Sequence, residues 1–257
     1  MHVFDLDRAL ERVAPGKLAE SWDNVGLLVG DPAAALSRVL VCVDLTDAVL
    51  DEAQALGCQA VVAYHPPLFQ AKKRFRAGDL AFEAARLGIA LLSPHTAFDV
   101  AEGGTNDVLA DLVGLETRGP LSLRGEEGGG IGRVGTCPET TAGLLLAKVK
   151  HGLDLSRILV AGPFAEERPV ARVAICAGAG GSLVGDALSA RADVYVVGEL
   201  GHHDALRAGR GGMVVFATLH SNSERVAIPV LASRIQSELP GVSVHTSRAC
   251  ADPFSIR

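Results

Sequence analysis

The sequence predicts an α/β protein of two similar lobes, each built on a largely parallel sheet. Two observations carry this. Short apolar runs rich in β-branched residues alternate with stretches of about ten residues at helical spacing, which is the signature of β-α-β units. The cycle then repeats after a glycine-dense stretch, in a chain of 257 residues, the size at which one core tends to split in two.

Asp5 to Ala14 has helical spacing, with Asp5 as cap, Leu6, Ala9, Leu10 and Val13 on one face, and Pro15-Gly16 as its end. Val25–Val29 and Val39–Val43 are bounded by Asp, Pro and Gly and predict strands. Thr46 caps a helix that runs to Leu56. A strand at 60–63, a helix at 79–87, a strand ending before His95 and a helix at 106–112 complete a first lobe. The stretch from Gly119 to Gly135, with Glu126-Glu127-Gly128-Gly129-Gly130 inside it, predicts a lobe junction or hairpin. The second cycle comprises helix 140–151, strands 157–161 and 170–176, helix 182–190, and strands 194–197 and 213–217. A helix at 223–239 and a strand at 242–246 close the chain. The expected division is 1–118 for the first lobe, 119–218 for the second, and 219–257 for a C-terminal helix and strand returning to the first.

Composition narrows the function. With 24 basic and 30 acidic residues the net charge is -6, which lacks the basic footprint of a nucleic-acid surface, so no direct nucleic-acid binding is expected. The five cysteines are odd in number and show no C-x-x-C spacing. Cys42 and Cys176 sit inside apolar runs, as reduced core thiols of a cytoplasmic protein would. The start, Met1-His2-Val3-Phe4-Asp5, lacks the basic and apolar regions of a signal peptide, and no apolar stretch approaches the ~20 residues of a membrane span. A soluble cytoplasmic protein is expected. A mean hydropathy of +0.27 predicts apolar surface to be covered by assembly.

Three apolar runs each end just before a histidine: 60–63 before Tyr64-His65-Pro66-Pro67, 89–92 before His95 with Asp99 following, and 213–217 before His220 with Glu224 following. If these runs are parallel strands of one sheet, the histidines share the edge where open α/β sheets carry ligand sites. Each has a plain structural reading as well. His65 fits a hydrogen-bonded residue fixed by two prolines, Asp99 a carboxylate serving the Gly103-Gly104 turn, and His220 with Glu224 a surface histidine and a carboxylate favoured by the helix dipole. All three readings require the same strand-end position by coincidence. Imidazoles and carboxylates without thiolates suit Zn, Mn, Fe or Mg, and an open site fits better than a structural one.

Gly130-Ile131-Gly132-Arg133-Val134-Gly135 matches G-x-G-x-x-G but does not lie between a strand and a helix, so a glycine-rich strand or turn is expected. Gly178-Ala179-Gly180-Gly181-Ser182 does join a strand to a helix, so Gly180 and Gly181 are candidate anion contacts, with a tight turn as the alternative. Glu199, His202 and His203 follow another strand and form a candidate polar cluster for substrate.

These residues carry a resemblance. Ser21-Trp22-Asp23-Asn24-Val25-Gly26-Leu27, Tyr64-His65-Pro66-Pro67-Leu68-Phe69, His95 to Asp99 with Gly103-Gly104, Gly198-Glu199 through His203, and His220 with Glu224 resemble, in order, the signatures of the Ngg-interacting-factor-three-like family. Its members are often labelled GTP cyclohydrolase I type 2 homologues. The resemblance implies a dinuclear divalent-metal site between the lobes, ligated by His65, Asp99, His220 and Glu224, and a homohexamer. The label implies a hydrolase that uses metal-bound hydroxide, with His95 orienting a ligand or the substrate. GTP, a cyclic amide or a phosphoester would be the substrate. The other reading is a non-enzymatic, metal-stabilised hexameric scaffold or regulatory binding protein. The family often has a second histidine before the one matching His65, where this chain has Tyr64. One tightly held metal per subunit and a weaker second one are therefore expected. The short stretch 115–136 leaves no room for the inserted domain of larger members.

Overall fold

The computed structural model describes residues 1–123 and 130–255. In chain order the elements are α1 (Val3–Val13), β1 (Gly26–Val29), β2 (Arg38–Cys42), α2 (Asp47–Ala55), β3 (Ala60–Ala63), α3 (Leu80–Arg86), β4 (Ala90–Ser93) and α4 (His95–Val100). Next come α5 (Thr105–Val113), β5 (Thr117–Leu123), β6 (Gly130–Thr141), α6 (Ala142–Gly152), β7 (Leu159–Ala161), β8 (Pro169–Ala179), α7 (Val184–Ser189) and β9 (Val194–Glu199). The last are α8 (His202–Arg210), β10 (Val214–Ala217), α9 (His220–Arg225), α10 (Ile228–Glu238) and β11 (Ser243–Thr246).

Helix α1 begins earlier than expected, because Asp5 reaches back to accept the His2 N–H at 2.8 Å instead of capping at its own position. Thr46 Oγ1 caps α2 by accepting from Val49 N–H at 3.3 Å. Helices α4 and α8 have no counterpart in the sequence pattern. Both open on a histidine; α4 is only six residues long, and α8 buries only Ala208.

The chain divides into two compact units, Met1–Ala101 with Ile228–Pro253, and Glu102–Ala227 with the residues from Phe254. The sequence pattern puts these boundaries at 118/119 and 218/219. They fall elsewhere because α5 buries Leu109, Ala110 and Val113 among Leu145, Val149, Val173 and Ile175 of the second unit. Helix α9 likewise joins the second unit, through Ser223 on the backbone of β8, and the return to the first unit begins only at Ile228.

The first unit's sheet has the order β1-β4-β3-β2-β11, with β4, β3, β2 and β11 parallel and β1 antiparallel at one edge. Every residue of β3 and β4 is buried, as befits parallel strands covered on both faces. The second unit's sheet has the order β5-β6-β8-β9-β10-β7. Its parallel core, β8-β9-β10, is extended by antiparallel β6 and β5 on one side and β7 on the other. The three histidine-bearing strands thus do not share one sheet: β3 and β4 lie in the first and β10 in the second.

Within the stretch from Gly119 to Gly135, β5 and β6 pair antiparallel, and residues 124–129, with the Glu126 to Gly129 run, lie outside the described residues. The G-x-G-x-x-G match falls within β6. A Cβ on Gly135 would stand 2.2 Å from the Thr117 carbonyl oxygen, so close strand approach accounts for that glycine. Cys42, Cys58 and Cys176 are buried, and all five cysteines are free thiols. No helix among the described residues is long and apolar enough to cross a membrane.

Candidate metal centre

In the first unit, β3 and β4 run parallel as neighbours, so the residues just beyond their C-terminal ends lie on one sheet edge. Tyr64 and His65 continue the ladder beyond β3, donating their N–H groups to Cys42 and Val43 carbonyls at 2.9 and 3.0 Å. His95 opens α4 beyond β4, and its ring centroid lies 5.4 Å from that of His65. His65 Nδ1 is 2.8 Å from Asp44 Oδ1, and His95 Nδ1 is 2.7 Å from Asp23 Oδ1. Burial acts to raise the Asp23 pKa, but hydrogen bonds from His95 and Thr96 and the nearby imidazole outweigh it and hold the group below the usual carboxylate range. An ionised Asp23 only accepts, so His95 donates to it from Nδ1. Tyr64 is fully buried and its hydroxyl donates to Asp99 Oδ1 on α4.

The second unit repeats the device. His220 is the first residue of α9, beyond β10, and Glu224 lies one turn on, with Nε2 to Oε1 at 3.1 Å and Glu224 only 2% exposed. Glu199, the last residue of β9, holds His220 Nδ1 at 3.0 Å. Space for the Glu224 carboxylate comes from Gly178, at φ 62°, where β8 bulges against β9. A Cβ there would stand 2.7 Å from Glu224 Oε1 and 3.3 Å from His220 Nε2. Ser223 fastens the bulge by accepting the Gly178 N–H at 2.8 Å and donating to the His220 carbonyl at 2.6 Å. Bulges beside functional sites re-aim side chains in this way.

Both histidine turns are strained. His95 itself has φ 26°, and Leu219, directly before His220, has φ 71° and ψ 153°, a region adopted almost only by glycine. Strain at Leu219 has a readable consequence. Leu219→Gly gives up one methyl group more than Leu219→Ala, but only glycine relaxes the backbone, so Leu219→Gly should be the more stable by up to ~1–3 kcal/mol in urea denaturation. Equal stabilities would show that the turn stores no strain.

The remaining candidates lie in the second unit. Glu199 holds His220, and Glu199 and His202 line a common cavity floored by Val160, Val215 and Ala217. His202 and His203 are exposed at the start of α8, ring centroids 5.4 Å apart. At Gly180 the open side is taken by Tyr195, whose hydroxyl donates to the Gly180 carbonyl at 2.9 Å. At Gly181 the Asp204 carboxylate stands where a Cβ would be, 2.6 Å away, and would repel an anion. Sequence reasoning gives no role to Asp44 or Ser223, and sees Asp23 only within a family-like signature and Gly178 only within a glycine-rich turn. Asp44 carries a usable signal, since it comes just after β2 at the edge that bears His65.

The Duf34/NIF3 (NGG1p interacting factor 3) family profile matches residues 1–253. A Lactococcus lactis protein named GTP cyclohydrolase 1 type 2 homolog is 33% identical, the match covering 99% of both chains. Protein NIF3 homolog of Schizosaccharomyces pombe is 34% identical over 97% of this chain and 96% of its own. Among solved structures, a Bacillus cereus protein related to NIF3 superposes with TM-score 0.92 at 22% identity, covering 100% of this chain and 99% of that one. A Staphylococcus aureus hypothetical protein superposes with TM-score 0.91 at 26% identity and the same coverage.

Proposed function

This chain belongs to the Duf34/NIF3 family, and on that premise we propose that it is a divalent-metal-dependent hydrolase, with His65, Asp99, His220 and Glu224 as metal ligands. One observation carries the reading: His65, His95 and His220 each have Nδ1 held by a carboxylate, which fixes the ring and turns Nε2 away from that partner. Metal-ligating histidines are oriented by this kind of partner. The glycine cradle at Gly178, beside Glu224 Oε1 and His220 Nε2, fits the same purpose. The donor set of imidazoles and carboxylates suits Zn, Mn, Fe or Mg.

When bound there, a divalent cation supplies Lewis acidity and brings the pKa of water toward ~7. The chain's own residues do the rest. Asp44 and Glu199 hold the His65 and His220 rings by Nδ1. Tyr64 restrains the Asp99 carboxylate. His95, locked by Asp23, presents Nε2 to orient substrate and to accept or return a proton at that atom. Relatives named GTP cyclohydrolase 1 type 2 homolog suggest GTP as the first substrate to try, then other cyclic amides and phosphoesters. We further propose a cytoplasmic homohexamer, on the free thiols for the compartment and on the family resemblance for the number.

The test is turnover by metal-loaded protein on GTP and on that panel, with Asp99→Ala as control. Metal-dependent turnover lost in the control supports the hydrolase. No turnover on any compound, with assembly lost on metal removal, would favour the scaffold reading instead.

Tyr64 sets the expected metal content. Its hydroxyl is committed as a donor to Asp99, and a phenol of ordinary pKa near ~10 is a poor ligand at neutral pH. The protein should retain one equivalent per chain after dialysis, and Tyr64→His, which supplies an imidazole, should retain two. Two equivalents in the unmodified protein, or no gain in the variant, would show that Tyr64 does not limit the second site.

A further inference from the structure

Trp22 is the only tryptophan in the chain, and it is 56% exposed. Phe69 is 48% exposed. Their rings meet edge to face at 5.7 Å, and both also face His95, at 6.1 and 6.4 Å between centroids. This pair is held in place by its neighbours. Asp23 binds His95 and the Thr96 N–H, and Asn24 Nδ2 donates to the Leu68 carbonyl at 2.5 Å. Two large rings are thus fixed in solvent beside the imidazole that the proposed reaction uses. Core packing does not account for them.

A second observation bears on charge. Three residues beyond Phe69 begins Lys72-Lys73-Arg74-Phe75-Arg76, wholly exposed in a chain of net charge -6. Lys72 is engaged with Asp79 at 2.6 Å, whereas among the described residues no carboxylate pairs with the side chains of Lys73 or Arg74. Lys73 lies four residues along the chain from Phe69, a reach of at most ~14 Å.

We propose that Trp22 and Phe69 form a ledge beside His95 on which the planar ring of a nucleotide-class substrate stacks, with Lys73 and Arg74 taking up its negative charge. The proposal rests on the hydrolase reading for the place of the site, but not on turnover for its test. Aromatic faces hold bases of any sequence by stacking, and basic side chains track phosphate.

The single tryptophan makes the ledge directly visible by fluorescence. The protein is titrated with GTP, guanosine and sodium tripolyphosphate, metal-free and metal-loaded, with free tryptophan amide as the optical control. GTP and guanosine should both quench saturably, guanosine at higher concentration. Tripolyphosphate should compete with GTP without quenching. Phe69→Ala should weaken both ring ligands by on the order of 10-fold or more, and Phe69→Tyr should restore them. Arg74→Glu should weaken GTP and leave guanosine unchanged. An unaltered melting temperature of Phe69→Ala guards against misfolding. Failure of GTP and guanosine to quench, quenching by tripolyphosphate, or unchanged affinity in Phe69→Ala would overturn the ledge. Quenching without turnover would leave the ledge standing and remove the hydrolase, while turnover without quenching would do the reverse.

Discussion

Glu224→Ala should cost more metal affinity than any substitution outside the four proposed ligands. Glu224 is 2% exposed, lies 3.1 Å from His220 Nε2, and has its carboxylate housed by a glycine whose Cβ would stand 2.7 Å away. Such a carboxylate has little freedom to be replaced by a neighbour. Glu199 acts one step out, through His220 Nδ1. Removing a partner of that kind typically lowers metal affinity by ~10–100-fold. Glu199→Ala should fall in that range, Glu199→Gln should lose less because an amide oxygen still accepts, and Glu224→Ala should lose more than either. Competition against a chelator of known affinity measures all three. A Glu199→Ala variant with unaltered affinity would remove the orienting role.

The largest effect on stability is expected at Asp107→Ala, in the second unit. Arg133 reaches Asp107 with Nε to Oδ1 at 2.7 Å and Nη2 to Oδ2 at 3.2 Å, and both side chains are 9% exposed. Removing one partner of a buried pair leaves an uncompensated charge and costs ~3–5 kcal/mol. Burial acts to raise the Asp107 pKa, but the Arg133 guanidinium, the Gly103 N–H and Arg118 outweigh it and hold the carboxyl below its ordinary value. A carboxyl lowered in the folded state contributes fully above its unfolded pKa of ~3.9, and the contribution is lost as pH falls through the folded value. The gap between the unmodified protein and Asp107→Ala should therefore be wide at neutral pH and should narrow as pH falls below that unfolded value. Urea denaturation at both ends of the range measures it. A gap that stays constant with pH would show that the ion pair does not carry the stability.

Range along the chain decides which features are legible in the sequence. The apolar runs of β3, β4 and β10 are continuous because both faces are buried, so they and the histidines at their ends are readable one segment at a time. That β10 belongs to a different sheet from β3 and β4 is not readable, since pairing is decided between segments distant in the chain. The lobe boundary is misplaced by sequence because the glycine after α5 marks where the helix stops, whereas the apolar face of α5 decides which core it joins. Tyr64 stands out as a departure from the family pattern, but its bond to Asp99 spans 35 residues and only the fold brings the two together. The same holds for Asp23 with His95, 72 residues apart. Positive φ at Leu219 leaves no trace at all, because leucine is a residue seldom found there.

His65, Asp99, His220 and Glu224 are proposed to hold a divalent metal. Elemental analysis after exhaustive dialysis, on the unmodified protein and on the four single alanine variants, tests it without reference to substrate. At least one equivalent per chain should remain in the unmodified protein and be lost from the His65, Asp99 and Glu224 variants, with all four variants still folded by circular dichroism. An unmodified protein that retains no metal and takes up none on titration, or four variants that retain as much as it does, would contradict the account.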